Sequence, residues 1–320
     1  MGGALRFLNE LDNYLAHRVR PEVRVVGRGR RLGVKWLIDR ERTGARGRAV
    51  ALNNISFVAG RGERWVLLRN PLHFSPPDEV ARIPGGLPRR AASTAVLVHA
   101  AARRADVIVV PTTEMAQRVT DMVPRLSAPL VVRPHPLSIP AKPPATARVP
   151  HRLLCPVLFS RFKAMGPLLG LADAAADLLA VESGAAVEVV VTATEKEAAA
   201  EGLAGTRRLR FVGRLSPEQL AMQQDQCQAL LYPTRVESFG YPLAEARLAG
   251  LPVVALDTDR NREVAGPVLV PYQREEPAAV AAAMHEAFSA TREPETVNPF
   301  DPTRYFDWLL GHGDWLSPTA

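Results

Sequence analysis

Two glutamates stand eight positions apart in a stretch of chain whose residues predict a strand, then a glycine turn, then a helix. Residues 231–266 read LYPTRVESFGYPLAEARLAGLPVVALDTDRNREVAG. A loop with Glu237 and Gly240 should follow the strand, and Pro242 and Glu245 should lie in the first helical turn, where proline and acidic residues are favoured. The helix should end at Gly250, two residues before Pro252. A glycine turn at the carboxyl edge of a parallel sheet, followed by free N–H groups of a helix N-terminus, is typical of phosphate sites. The segment therefore predicts a phosphate-binding turn flanked by two carboxylates.

The two carboxylates would take hydroxyl groups rather than phosphate. A carboxylate repels a diphosphate, but it accepts hydrogen bonds from ribose and sugar hydroxyls on either side of one. In the alternative interpretation, Glu245 only complements the helix dipole and Glu237 is solvated, each worth a few tenths of a kcal/mol. Either glutamate alone fits that alternative; their occurrence together with Gly240 and Pro242 favours a site.

The run from Glu237 to Glu245, with the continuation ARLAGLPVVALDT, resembles the donor-binding signature of glycosyltransferase family 4, in which seven residues separate two glutamates. The resemblance covers 151–290 and, more weakly, 1–143, and it is to bacterial members with a short N-terminal domain. It implies an α/β protein of the GT-B fold, with two Rossmann-like parallel-sheet domains facing a central cleft. The implied activity is transfer of a hexose-type sugar, with retention of anomeric configuration, from a nucleotide-diphosphate donor to an acceptor hydroxyl. The acceptor is a glycan, a lipid-linked glycan or a natural product.

The same resemblance implies roles for individual residues. Glu245 would hold the donor ribose, and Glu237 would contact hydroxyls of the transferred sugar. Gly213, in FVGRLS, falls at a turn that contacts the nucleobase mainly through backbone, which leaves the base open. Backbone amides of the glycine turn would bind the diphosphate, and the turn comprises Phe239, Gly240, Tyr241 and Pro242.

Two cations precede this segment in VLFSRFKAM. The family places an Arg and a Lys here to neutralise the leaving diphosphate, and Arg161 and Lys163 match those positions. Only Phe162 separates them, whereas relatives have several intervening residues. If 161–163 is extended, the two side chains share a face and converge. The alternative is a pair of exposed cations on a loop.

The N-terminal half resembles the family's acceptor side. In residues 52–74, polar turns follow two successive strands, and His73 or Asn70 would contact the donor sugar. A histidine beside Phe74 fits a packed structural residue equally well, and His99 is predicted to pack within a helix. Gly3, with the glycine before it, occupies the family's N-terminal glycine turn, which approaches the donor diphosphate or the acceptor.

The order of apolar runs predicts two domains. Runs at 23–26, 49–52, 65–68 and 107–110 predict buried parallel strands in an N-terminal domain, 1–143. A glycine turn normally follows a strand, so a first strand is expected before the turn at position 2. Six prolines in 134–150 predict a linker, followed by a nucleotide-sugar-binding domain, 144–296. Strands of this second domain are predicted by apolar runs at 153–159, 187–193, 209–213, 229–233 and 252–256. Residues 297–320 predict a terminal helix that returns toward the N-terminal domain.

Charge is distributed unevenly between the halves. Residues 1–145 hold 24 Lys and Arg against 11 Asp and Glu, which leaves 16 and 22 for the rest. The basic half suits an anionic or lipid-linked acceptor, an anionic membrane surface or nucleic acid, or it is simply an arginine-rich solvated surface. The aromatic residues of 1–145 fall at core positions, which disfavours nucleic acid.

Little in the chain indicates a cofactor, a metal or export. The two cysteines lie in apolar runs, and no Asp-x-Asp pair or histidine cluster appears. No apolar run reaches signal or membrane-span length, so we expect a cytoplasmic protein, peripheral at the inner membrane face if the basic half meets lipid. Rival classes are a nucleotide-sugar epimerase, a sugar phosphorylase, and a non-enzymatic nucleotide-sugar or nucleic-acid binding protein.

Overall fold

Short apolar runs separated by amphipathic segments fold into alternating strands and helices. The computed structural model describes residues 3–18, 20–30, 33–42, 47–59, 62–83, 86–87, 89–139 and 147–311, with the side chains of Arg82, Arg90 and Arg161 outside that description. Two compact units form: Met1–Pro77 with Leu87–Ser138 and Pro299–Ala320, and Asp78–Gly86 with Ile139–Asn298.

The helices and strands have the following bounds. The helices are α1 (Gly3–His17), α2 (Val34–Arg42), α3 (Pro77–Arg82), α4 (Arg89–Ala102), α5 (Thr113–Met122), α6 (Met165–Ser183), α7 (Glu195–Ala200), α8 (Pro217–Gln226), α9 (Tyr241–Ala249), α10 (Asp259–Ala265), α11 (Pro277–Ser289) and α12 (Pro302–Leu310). The strands are β1 (Ala49–Ala51), β2 (Arg64–Leu67), β3 (Val107–Val110), β4 (Leu130–Val132), β5 (Arg152–Cys155), β6 (Glu188–Val191), β7 (Leu209–Phe211), β8 (Ala229–Tyr232), β9 (Val253–Leu256) and β10 (Leu269–Tyr272).

The first unit contains a four-stranded parallel sheet in the order β1-β2-β3-β4. Alternate residues of its strands enter two different cores because side chains alternate across a pleated strand. Val66 and Ile108 pack with α4 and α5, whereas Trp65 and Val107 pack with α1 and α12. The sheet is therefore covered on both faces, as its continuous apolar strands predicted.

The prediction of a strand at 23–26 was wrong. Residues 23–27 are irregular, and they line the same cavity of about 1360 Å³ as the outer edge of β1. The cavity lies between residues 23–27 and β1. Residues 23–26 therefore have no adjacent strand, among those that the structure describes, with which to form backbone hydrogen bonds. Conversely, β4 was not predicted, because its three residues are too few for a clear alternation.

Within the first unit, α12 packs against α1. Phe7 and Phe306 make an edge-to-face contact with ring centroids 5.6 Å apart, and the Tyr14 hydroxyl donates to Asp307 at 2.6 Å. The helix begins after Asp301, whose side chain accepts a hydrogen bond from the N–H of Arg304 at 2.8 Å. Residues 312–320 of the predicted terminal helix lie outside the described part of the chain.

The second unit contains a six-stranded parallel sheet in the order β10-β9-β8-β5-β6-β7. Five of its strands lie where apolar runs predicted them, and β10 was not predicted. The α/β class with parallel sheets in two domains is thus confirmed. In the described part of the chain, no helix combines the length and apolar character that a bilayer crossing requires.

Gly250 ends α9 in the left-handed conformation, as its position before Pro252 predicted. Its φ is +63°, and a Cβ there would lie 2.6 Å from the backbone nitrogen of Pro294. Gly184 ends α6 with φ +69°, but nothing lies within 4 Å of its Cβ position. The two glycines therefore share a backbone conformation and differ in available space.

We expect Gly250→Ala to destabilise the second unit more than Gly184→Ala does. The left-handed backbone should cost about 1–2 kcal/mol at either site, and the contact with Pro294 should add about 1–3 kcal/mol at Gly250 alone. Urea denaturation followed by circular dichroism measures both values. Equal losses for the two variants would contradict the close approach at Gly250.

Candidate functional site

Two loops of the second unit meet where the strand order of its sheet reverses. The chain enters the sheet at β5, adds β6 and β7 on one side, and then adds β8, β9 and β10 on the other. β5 and β8 are neighbours, with Leu153 opposite Ala229. Ligands of open parallel sheets bind beyond the carboxyl ends of the strands at such a reversal. The loops 156–164 and 233–240, which follow β5 and β8, therefore form the candidate site.

An ion pair joins the two loops. The Nζ atom of Lys163 lies 3.0 Å from Oε2 of Glu237, and their side chains are 15% and 28% exposed. The other carboxylate oxygen of Glu237 accepts a hydrogen bond from the N–H of Ser238 at 3.1 Å. Two residues 74 positions apart in the chain, both predicted as site residues, are thus in direct contact.

Residues 161–163 are not extended, so the condition under which Arg161 and Lys163 would share a face is not met. These residues form a 3₁₀ turn, closed by a hydrogen bond of 2.9 Å from the N–H of Lys163 to the carbonyl of Ser160. Ala164 then takes a left-handed conformation, with φ +46°, which redirects the chain into α6. Lys163 reaches Glu237 from this turn, and the side chain of Arg161 lies outside the described part of the structure.

Gly240 begins α9 with φ +91°. A Cβ at this position would lie 2.9 Å from the hydroxyl of Tyr232 and 3.1 Å from the side chain of Leu243. Glycine is therefore required for the turn to pass this close to the end of β8. The helix starts at Tyr241, with Pro242 in its first turn, so the start of α9 follows directly on the loop of Glu237.

The aromatic residues of the turn are structural neighbours of one another. Phe239 and Tyr241 are 1% and 6% exposed, and their rings make an edge-to-face contact at 5.3 Å. With the side chains packed inward, the turn presents mainly backbone to a ligand. The backbone role that the family resemblance implies for these residues stays a prediction.

Glu245 lies in the second turn of α9, so the prediction that it is a first-turn acid was wrong. The first turn of this helix holds no acidic residue. Glu245 is only 7% exposed, and it stands on a helix whose neighbouring residues are buried as well. A solvated carboxylate that merely complements the helix dipole would not be buried in this way, because desolvation of a charge is costly.

Gly213 lies at the same sheet edge, beyond β7. Its φ is +74°, and its N–H donates to the carbonyl of Ala193 at 2.9 Å. The turn is thus joined to the segment that follows β6. Among the residues that the structure describes, no group of three or more His, Cys, Asp or Glu could hold a metal ion.

The remaining predicted residues belong to the first unit. The side-chain oxygen of Asn70 accepts from the N–H of Leu72 at 3.2 Å, and its Nδ2 lies 3.2 Å from Nε2 of His73. His99 contacts the carbonyl oxygen of His73 at 2.6 Å and stacks on Phe74. The side chains of Asn70 and His73 thus contact each other. His99 belongs to α4 and packs against Phe74, as predicted.

Gly3 is the first residue of α1, and the glycine before it lies outside the described residues. The structure therefore places Gly3 at a helix start in the first unit. Its predicted approach to a diphosphate or acceptor stays a prediction.

His73 is a buried neutral base. Its side chain is buried, and burial, reinforced by the neighbouring His99, lowers its pKa to about 4. Within the described part of the chain, its Nδ1 atom has no hydrogen-bond partner. An unfolded histidine has a pKa near 6.5, so the unfolded chain takes up this proton first as the pH falls.

The first unit should therefore lose stability as the pH falls from about 6.5 toward 4. We expect His73→Gln to reduce this slope, by up to about 1.4 kcal/mol per pH unit for one proton, since glutamine does not titrate. Urea unfolding monitored by the fluorescence of the buried Trp65 measures the slope. His17→Gln, at an exposed site, is the control, and an unchanged slope in His73→Gln would contradict the buried neutral state.

Sequence reasoning missed Arg260, which lies on α10 behind the loop of Glu237. It is 1% exposed, and its guanidinium donates to the carbonyl oxygens of Thr234, Arg235 and Glu237 at 2.9–3.1 Å. The chain has forty Lys and Arg, and Arg260 lies among other charged residues in the sequence. Nothing in the sequence therefore indicates that this arginine is buried.

One comparison with known proteins covers the segment that carries the candidate site. Residues 158–289 match the family model "Glycosyl transferases group 1". The matched segment lies in the second unit and includes Lys163, Glu237 and Glu245. No curated protein matches the chain.

Several solved glycosyltransferase structures are similar. The pneumococcal O-GlcNAc transferase GtfA, in complex with UDP and GlcNAc, is 15% identical with a TM-score of 0.52, over 72% of this chain and 46% of that one. TarM is 12% identical with a TM-score of 0.50, over 72% and 47%. The α,α-trehalose-phosphate synthase (UDP-forming) from Burkholderia vietnamiensis is 12% identical with a TM-score of 0.56, over 88% and 76%.

These similarities establish the fold. The protein has the two-domain α/β fold of GT-B glycosyltransferases, as predicted. The chain spans about half the length of the GtfA and TarM structures.

Proposed function

We propose that the protein is a retaining glycosyltransferase of family 4, of the bacterial type, that moves a hexose-type sugar from a nucleotide-diphosphate donor to an acceptor hydroxyl. The observation that carries the proposal is the Lys163–Glu237 ion pair, which lies at the strand reversal beside the start of α9. A nucleotide sugar requires a cation near its diphosphate and a carboxylate near its sugar hydroxyls, and a helix N-terminus beside them favours the phosphate end. UDP is the donor nucleotide to test first, since UDP is named with two similar structures.

The reaction breaks the bond between the anomeric carbon and the diphosphate oxygen. Negative charge develops on the leaving diphosphate, and Lys163, with Arg161 and the amides of 239–241, would stabilise it there. Glu237 would accept hydrogen bonds from sugar hydroxyls. These groups supply the charge stabilisation without a metal ion or cofactor.

Retention follows if the acceptor attacks on the face that the diphosphate leaves. The acceptor oxygen then bonds to the anomeric carbon, and its proton passes to a diphosphate oxygen. Glu245 would hold the ribose, Gly213 would contact the base through backbone, and Asn70 and His73 would contact the donor sugar. A neutral His73, as its lowered pKa requires, would act as a hydrogen-bonding group rather than a cation.

The acceptor that we propose is anionic or lipid-linked. The cavity of the first unit is lined by six arginines against two glutamates among the described residues: Arg24, Arg28, Arg30, Arg40, Arg48 and Arg69, with Glu22 and Glu63. Such an excess of positive charge favours an anionic partner. A cytoplasmic protein that associates with the inner face of the membrane would meet a lipid-linked acceptor there.

Ligand screening followed by product analysis tests the proposal. UDP-, GDP-, dTDP- and ADP-sugars are compared by thermal shift, and we expect one nucleotide class to raise the unfolding temperature. Incubation with the stabilising donor and candidate acceptors should then release nucleoside diphosphate and form a glycosylated product. An isomerised nucleotide sugar would instead show an epimerase, release of sugar phosphate a phosphorylase, and no stabilisation by any nucleotide would overturn the proposal.

A further inference from the structure

Arg260 holds the backbone of the loop that carries Glu237. Its NH1 atom donates to the carbonyl oxygens of Arg235 at 2.9 Å and of Glu237 at 3.1 Å, and NH2 donates to that of Thr234 at 3.1 Å. Three carbonyl groups from four consecutive residues thus converge on one guanidinium. The loop therefore bends around the guanidinium group of Arg260.

The guanidinium is itself held in place. The side-chain oxygen of Asn261 accepts from its Nε at 3.2 Å and from NH2 at 3.0 Å, and Asn261 donates to the carbonyl of Leu256 at 2.8 Å. Both residues are almost completely buried. Within the described part of the chain, no carboxylate pairs with Arg260, so carbonyl dipoles alone offset its buried charge.

The geometry of the peptide bond fixes the direction of the loop amides. In a planar trans peptide, the carbonyl of one residue and the N–H of the next point in opposite directions, and the described chain has no cis peptide bond. Because three carbonyls point toward Arg260, the N–H groups of Arg235, Val236 and Ser238 point away from it. The N–H of Ser238 already donates to an anionic oxygen, that of Glu237, at 3.1 Å.

We propose that Arg260 is a positioning residue that fixes residues 234–238, with the N–H groups of Arg235, Val236 and Ser238 turned toward the face that receives the donor diphosphate. This inference rests on the proposed function, since it concerns the anion of the same donor. The buried cation sets the backbone before the ligand arrives, and the diphosphate then meets preorganised donors. Arg260 itself does not touch the ligand.

Lysine cannot replace arginine in this role. A guanidinium presents five N–H donors in one plane, whereas an ammonium has three donors around a single point. Arg260→Lys would keep the buried charge but would not hold three carbonyls and Asn261 together. This variant therefore separates geometry from charge.

The test measures binding of UDP and of inorganic pyrophosphate by calorimetry. We expect Arg260→Lys, at temperatures where it is folded, to bind both probes at least tenfold more weakly than the wild type. Arg262→Lys is the matched control, because Arg262 lies two residues away on α10, is largely exposed, and pairs with Asp257. Affinities within twofold of the wild type in folded Arg260→Lys would overturn the inference.

If Arg260→Lys does not fold, amide hydrogen exchange in the wild type tests the inference instead. We expect UDP to slow exchange of the amides of Val236 and Ser238, and protection confined to α9 would overturn the inference. A wild-type protein that binds neither UDP nor pyrophosphate contradicts the proposed function instead. The two failures are therefore distinguishable.

Discussion

Lys163→Met should lower turnover about 10²- to 10³-fold, the usual effect of removing one preorganised donor to a developing anion. The Nζ atom of Lys163 is held 3.0 Å from Glu237, on a turn of the loop that follows β5. A mobile surface lysine would lack such a fixed position. Methionine keeps the length and much of the packing of the lysine stem, so the variant removes mainly the charge.

Part of this loss should come from Glu237. In the wild type, Lys163 offsets the Glu237 carboxylate; without it, that carboxylate would face the donor diphosphate as a second negative charge. Like charges about 4 Å apart repel by about 4 kcal/mol at an effective dielectric of 20. We therefore expect Glu237→Gln to restore some donor binding to Lys163→Met, although it should weaken binding in the wild type.

Steady-state release of nucleoside diphosphate and donor titrations of the four proteins measure this double-mutant cycle. Lys196→Met is the control, since Lys196 is exposed on α7. Near-normal turnover in Lys163→Met would show that Lys163 does not stabilise the leaving diphosphate. Additive losses in the double variant would show that the two side chains act independently.

Sequence alone could predict the parts of the fold that depend on local pattern. The runs that became β5, β6 and β8 are short, apolar and bounded by polar or proline-containing segments, which is the local pattern of a buried strand. Threonine is a favoured cap at the start of a helix, and the side chain of Thr112 accepts from the N–H of Met115 in α5 at 3.2 Å. Gly250 was predicted from the same local logic, since few residues other than glycine adopt its conformation readily.

Features that depend on distant contacts could not be predicted in this way. Residues 23–26 have a strand-like composition but no neighbouring strand, and composition does not report a missing neighbour. The turn at 161–163 depends on the left-handed conformation of Ala164, which alanine rarely adopts and no sequence rule marks. Arg260 acts on carbonyl groups more than twenty positions earlier in the chain, and its own neighbours do not show this.

The spacing of Glu237 and Glu245 nevertheless identified a pair with unequal environments. Glu237 is partly exposed and ion-paired, whereas Glu245 is 7% exposed within α9. Partial exposure suits a group that contacts different hydroxyls as the sugar reacts. A buried carboxylate suits a fixed partner, and a ribose that stays bound throughout the reaction is such a partner.

Glu245→Ala should weaken UDP binding by about 1.5–3 kcal/mol, the usual contribution of hydrogen bonds to a charged group. Pyrophosphate binding should hardly change, because pyrophosphate has no ribose. Calorimetry with the two ligands therefore separates a ribose contact from a general disturbance of the site. Glu286→Ala, at an exposed position of α11, controls for the loss of a negative charge.

Comparison of UDP with its 2′-deoxy analogue locates the contact further. If Glu245 accepts a hydrogen bond from the 2′-hydroxyl, the wild type should prefer UDP, and Glu245→Ala should bind the two nucleotides equally. A preference that survives in the variant would assign the 2′-hydroxyl to another residue. If pyrophosphate binding instead fell as far as UDP binding, Glu245 would act through the fold of α9, since its carboxylate would then support the phosphate-binding turn rather than the ribose.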